Sequence, residues 1–181
     1  SSIAEEMGII LARSSFSANI KERRDFSCAI FDTKGELVAQ AAHIPVHLGA
    51  MPMTLASVLK EMTMQPGDVI ITNDPYKGGS HLPDITLVEP VFSANPDISG
   101  KPLFYVVDRA HHADVGGKKP GSMGIVTSLA DEGFLISPTR LYDKGDYNLE
   151  FINNFLQNVR NPDERLGDLR AQVASLTRGK K

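Results

Sequence analysis

Cysteine is nearly absent: Cys28 stands alone among 181 residues. That excludes an intrachain disulfide and any Cys-x-x-Cys zinc pair. Cys28 sits in an apolar run and reads as the buried structural thiol of a cytoplasmic protein. No apolar stretch reaches the length of a membrane span and no signal-peptide pattern opens the chain, so no membrane partner is expected. Basic residues gather only in short stretches such as Lys21-Glu22-Arg23-Arg24 and the terminal Arg178-Gly179-Lys180-Lys181, with no dense Lys/Arg run before the terminus, and the net charge is −3. No nucleic-acid partner is expected from such a balance. There is no Gly-x-Ser-x-Gly elbow, since Gly121-Ser122-Met123-Gly124 has the wrong spacing, and no Gly-x-x-x-x-Gly-Lys-Ser/Thr loop for ATP.

What the chain does have is histidine in a few places. All five fall in three strings, "AAHIPVHLGA" (41–50), "NDPYKGGSHLPD" (73–84) and "RAHHADVGG" (109–117). Imidazole and carboxylate are the usual ligands of a first-row metal ion, and they supply the acid and base groups of hydrolysis. The strings therefore predict a metal-dependent active site, or half of one.

Hydrophobic periodicity predicts an α+β fold of antiparallel β hairpins with flanking helices. A first helix runs to about Phe16, with Ile3, Met7, Ile10 and Leu11 on one face. A hairpin follows, "FSCAIFD" and "ELVAQAA" about Asp32-Thr33-Lys34-Gly35, with Phe26, Cys28 and Ile30 on an apolar face and Asp25, Ser27 and Ala29 on the other. Residues 50–63 read as a second helix, and "DVIIT" as a short buried strand. "DITLVEPVF" (84–92) and "PLFYVVDRA" (102–110) read as a hairpin pair, and 114–124 as a glycine-rich loop lining a site. Two packing helices close the chain. Leu149, Ile152, Leu156 and Val159 share one face of the first; Leu166, Leu169, Val173 and Leu176 share one face of the second, which Asn161 caps and Pro162 starts. Both ends look cut, and a piece of a longer protein is expected.

Antiparallel pairing of 84–92 with 102–110 brings "SHLPD" and "HHAD" side by side. His81 and Asp84 are thus expected to meet His111, His112 and Asp114. Adjacent histidines point differently, so one of His111 and His112 is expected as a ligand and the other as a supporting or substrate-facing group. His43 and His47 carry only the general prospect of any histidine. Asp74 could hold a turn, Asp84 and Asp114 could each orient an imidazole, and Asp25 could pair with an arginine of "KERR". Spacing alone does not choose among these four carboxylates.

The strings "KERRDFSCAIFD", "HIPVHLGAMP", "GDVIITNDPYKGGSHLPDITLVEPVF", "RAHHADVGGKKPGSM", "EGFLISPTRLY" and "NPDERLGDLRAQ" resemble, in order, the N-terminal part of the hydantoinase B/oxoprolinase family. The resemblance implies a single fragment of such a domain, with its metal-site region at about 20–125 and a helical part at about 146–177. It implies a hetero-oligomer in which a hydantoinase A-type subunit binds ATP, and a small cyclic amide (hydantoin, 5-oxoproline or lactam) as substrate. It also implies a Zn, Mn or Fe ion on Asp25, His81 and His111, with Asp74, Asp84 and His47 around it. On that reading the partner phosphorylates the amide oxygen, a metal-activated water attacks, and His112 or Asp114 handles the proton. Two alternatives accompany it: an ATP-dependent ketone carboxylase subunit, which the double histidine disfavours, and a non-catalytic assembly subunit.

Overall fold

The computed structural model describes residues 2–42, 45–95, 100–119 and 128–181. His43 and the part of the glycine-rich loop beyond Lys119 lie outside them. Seven strands, β1 (Phe26–Phe31), β2 (Leu37–Ala42), β3 (Val69–Thr72), β4 (Asp84–Val91), β5 (Phe104–His111), β6 (Thr139–Asp143) and β7 (Asp146–Tyr147), form one sheet in the order β2-β1-β5-β4-β3-β6-β7. Every neighbouring pair is antiparallel. With the helices around it, this is the α+β fold expected.

Helices cover both faces of the sheet. On one lies α3 (Pro45–Glu61), whose Met51, Leu55 and Val58 pack on Ala29, Phe31, Ile70, Val88 and Val107. On the other lie α1 (Ile3–Ser14), α5 (Leu149–Gln157) and α6 (Pro162–Gly179), over Phe26, Cys28, Ile71, Ile85, Leu87 and Val106. Two single-turn helices, α2 (Ala18–Lys21) and α4 (Leu129–Glu132), stand in the connections. The central strands are therefore buried on both sides, which is why β3 and β4 read as continuous apolar runs instead of alternating. The face of β1 expected to be small and polar beside a site is only partly so: Ser27 is at the site, while Ala29 belongs to the core under α3. Pro90 is tolerated inside β4 because it lies beyond Val88, the last β4 residue registered with β3.

Three boundaries and faces differ from the sequence reading. α3 begins at Pro45, not 50, and passes through Pro52; a proline at the first helical position has its φ pre-set, so "IPVHLG" enters the helix at once. This brings His47 into the first turn. In α5 the buried residues are Ile152 and Phe155, while Leu149 is exposed. In α6 the buried face carries Arg165, Asp168, Gln172 and Ser175 beside Leu169 and Leu176. Apolar periodicity does not see that face because its polar groups are paired: Asp168 accepts from the amides of Phe16 and Ser17, and Gln172 donates to Asp108 and to the carbonyl of Ile85.

Candidate functional site

Strand register builds the site. Asp84 opens β4 directly opposite His111, the last residue of β5, and Thr86 and Ser27 flank Arg109 two positions further along. Alternation then sends His111 and Arg109 to the α3 face and Asp108 and His112 to the other. Asp84 is fully buried and its carboxylate is shared. Oδ1 lies 2.9 Å from His111 Nδ1, and Oδ2 lies 2.8 Å from His81 Nδ1. Ser80 Oγ donates to Oδ2, and His47 Nε2 stands 3.6 Å from the same oxygen. On its far side His47 Nδ1 meets Ser27 Oγ at 3.2 Å. The rings of His81 and His111 lie 5.0 Å apart.

Burial alone would raise the Asp84 carboxyl, but the bonds from His111, His47, His81 and Ser80 together hold it well below the usual carboxylate range. Asp84 is thus an ionised acceptor, so the Nδ1 of His81 and of His111 carries the proton. The bond to Asp84 raises the pKa of His81 against its partial burial, and the charges of Glu132 and Asp25 add to the rise. In the neutral tautomer this bonding fixes, Nε2 of both rings keeps its lone pair. A carboxylate on Nδ1 with Nε2 free is how metal-binding histidines are oriented.

His81, Asp84 and His111 each offer one ligand atom, all within 4.8 Å of one another. The donor set, two imidazoles with carboxylate, suits a divalent ion of the zinc, manganese or iron kind. His81 is the open side, with its side chain 45% exposed, while Asp84 closes the floor.

The other expected residues fall in distinct places. Asp25 precedes β1, half-buried; its carbonyl accepts the amide N–H of His111 at 2.9 Å, which sets it beside that residue, but its carboxylate is not in the close group of His81, Asp84 and His111. Asp74 holds a turn: its side chain accepts from the amide of Tyr76 and from Ser137 Oγ. His112 does not face the cluster. It is buried on the α6 side with Nε2 2.8 Å from Gln172 Oε1, and burial lowers its pKa to about 4. Asp114 is buried too, accepting from Arg160 Nη1 at 2.8 Å and from the amides of Arg160 and Gly116. The structure thus brings neither His112 nor Asp114, both expected to handle the proton, into the group of His81, Asp84 and His111.

Three residues escaped the sequence reading. Ser80 and Ser27 hold Asp84 and His47, and Arg109 lies fully buried two register positions from His111, on the same face of the sheet. Burial lowers the Arg109 pKa to about 10 although the Asp84 charge opposes this. Its place two residues before His111 in a strand was the signal available. In the opposite face Asp108, fully buried, is raised well above the usual carboxylate range by that burial.

A family model described as Hydantoinase B/oxoprolinase matches residues 1–181. The chain belongs to the hydantoinase B/oxoprolinase family. An uncharacterized protein of Methanocaldococcus jannaschii is 49% identical over 98% of this chain and 32% of its own length. The 5-oxoprolinase 1 of Arabidopsis thaliana is 45% identical over 98% of this chain and 15% of its own. Among solved structures, the ATP-dependent caprolactamase from Pseudomonas jessenii superposes with a TM-score of 0.88 at 31% identity, covering 98% of this chain and 30% of that one. The chain thus spans about a third or less of the relatives it matches. Among the described residues no helix is long and apolar enough to cross a membrane.

Proposed function

We propose that this chain is part of a subunit that opens cyclic amides with ATP hydrolysed on a hydantoinase A-type partner, and that its own share of the work is a divalent-metal centre. The observation that supports this most is the single buried carboxylate of Asp84 bonded to Nδ1 of both His81 and His111. Substrate class comes from the relatives: 5-oxoproline and caprolactam, in the names of two of them, are both cyclic amides.

On this reading Nε2 of His81 and of His111 hold the ion together with the Asp25 carboxylate, and Asp84 orients the two rings. A divalent ion supplies positive charge that acidifies water and polarises a carbonyl. Asp84 keeps the proton on Nδ1 of each ring and so keeps Nε2 available. His47, braced by Ser27, and Ser80 hold Asp84 in place from behind. The exposed edge of His81 is where the amide carbonyl enters, and the closed floor at Asp84 keeps bulk water from the other side. Phosphorylation of the amide oxygen by ATP on the partner makes the carbonyl carbon attackable by water. The ring C–N bond then breaks as the nitrogen takes a proton from the added water, and a second water hydrolyses the resulting acyl phosphate to carboxylate and inorganic phosphate.

The test is elemental analysis of the full-length subunit after metal supplementation, wild type beside His81→Ala and Asp25→Ala, followed by ATP-dependent ring opening with the partner present. One ion per chain in wild type, lost in both variants together with activity, is the expected result. Metal-free wild type with full activity would overturn the reading. Carboxylation of a ketone in place of ring opening would move the chain to the carboxylase branch.

A further inference from the structure

We propose that Arg109 is a positioning residue that bolts two separate elements to the sheet, so that His81 and His47 arrive at Asp84 and His111 together. This rests on reading those residues as the working site. Asp84 and His111 sit on registered neighbouring strands, and the sheet alone places them. His81 and His47 do not: one comes on the 73–83 loop and the other on the first turn of α3.

Arg109 joins all three. Its Nε donates to Thr86 Oγ1 of β4 at 2.8 Å. Nη2 donates to Thr54 Oγ1 of α3 at 2.7 Å and to the carbonyl of Gly78 at 3.2 Å. Thr54 Oγ1 in turn donates to that same carbonyl at 2.6 Å. The loop and helix touch so closely here that a Cβ on Gly78 would stand 2.3 Å from the Thr54 amide nitrogen, and Gly78 has φ +87°. Two residues on from this joint the loop delivers Ser80, then His81; seven residues, two helical turns, back from Thr54 lies His47, on the same helix face.

The chemistry demands arginine. A lysine ammonium is a point charge, whereas the planar fork reaches β4 with one nitrogen and α3 and the loop with another. An apolar plug would fill the space without desolvating a cation. None of the hydrogen-bond partners named for the guanidinium is a carboxylate. Among the described residues this buried cation bonds to hydroxyls and a carbonyl through Nε and Nη2 and leaves Nη1 unpartnered, a costly way to fill a core, and what it does here is fix the relative position of three elements.

Arg109→Lys and the nearly isosteric Thr54→Val test this in the full-length subunit. Deuterium exchange over residues 76–83, Mn²⁺ affinity and thermal unfolding are measured together. The proposal predicts faster exchange confined to that loop and the start of α3, and Mn²⁺ binding weakened about tenfold, as when a group orienting a metal ligand is lost. Unchanged loop exchange in Thr54→Val would overturn it, as would uniform loosening of the whole fold with wild-type Mn²⁺ affinity. Thr54→Val keeps the test intact should the lysine variant not fold. If wild type itself takes up no Mn²⁺, the metal reading fails while loop exchange still decides the role of Arg109.

Discussion

Asp84 and His111 are a registered cross-strand pair of the antiparallel β4–β5 ladder joined through their side chains, Oδ1 and Nδ1 lying 2.9 Å apart, while the His111 N–H donates to the carbonyl of Asp25 and the Asp84 N–H to that of His81. The second carboxylate oxygen is then left for His81, three residues upstream of Asp84. One acid thus fixes two rings, and the consequences can be measured.

Asp84→Asn should weaken metal binding by about 10- to 100-fold without abolishing it, the usual loss when a ligand-orienting carboxylate is removed. Asp25→Asn should abolish it. Titration of each full-length variant with Mn²⁺ distinguishes the two; complete loss in Asp84→Asn with retention in Asp25→Asn would place Asp84 itself among the ligands.

The raised pKa of His81 has a sign that can be checked in metal-free protein. Protonated His81 is favoured in the folded state, so its contribution is fully present below its unfolded pKa of about 6.5 and is lost as pH rises through the folded value. Thermal midpoints measured upward from about pH 6 should fall, and His81→Asn should flatten that decline. Asp84, held low, contributes above its unfolded pKa of about 3.9, and this share is lost only in stronger acid.

His112 behaves in the opposite way. Its folded pKa, about 4, lies below the unfolded value because burial keeps the ring neutral. The unfolded chain therefore binds the extra proton between about pH 6.5 and 4, and stability falls as pH drops through that window. The full effect is of the order of 2–4 kcal/mol at about 1.4 kcal/mol per unit. Denaturant unfolding of His112→Leu across that window should show a flatter acid limb, with metal content unchanged.

Asp114→Asn separates packing from chemistry in the "HHAD" string. Asp114 ties Arg160 and the amide of Gly116 into one joint. Loss of its charge should cost about 1–3 kcal/mol in unfolding experiments, the range for hydrogen bonds to a charged group. Metal affinity should stay within a factor of about two, since Asp114 makes none of the bonds that orient His81 or His111. A parallel loss of metal would return Asp114 to the site.

The antiparallel hairpin was legible from "DITLVEPVF" and "PLFYVVDRA", and with it the meeting of His81, Asp84 and His111. Period and strand ends carry that information directly. His47 was not legible as a partner of Asp84, because a proline-flanked "HIPVH" gave no helix until the chain was seen to enter α3 at Pro45. The β6–β7 hairpin was missed as well; its turn uses Lys144 and Gly145, both at positive φ, and a two-residue β7 leaves no periodicity to read. Arg109 hid for another reason. A buried arginine is recognised by the hydroxyls it finds across two other elements, and those contacts exist only in three dimensions.

The splitting of His111 and His112 between the faces of one sheet makes the residue count of β5 a functional quantity. A one-residue insertion or deletion between Phe104 and His111 would send each ring to the opposite face: a deletion would set His112 opposite Asp84, and an insertion would turn His111 to the place by Gln172 that His112 now holds. Composition would hardly change, and the same histidine pair would still be written in the gene. The reading frame of side chains along the strand would have failed all the same, so length variation among relatives should accumulate in the 93–103 connection and stop short of β5.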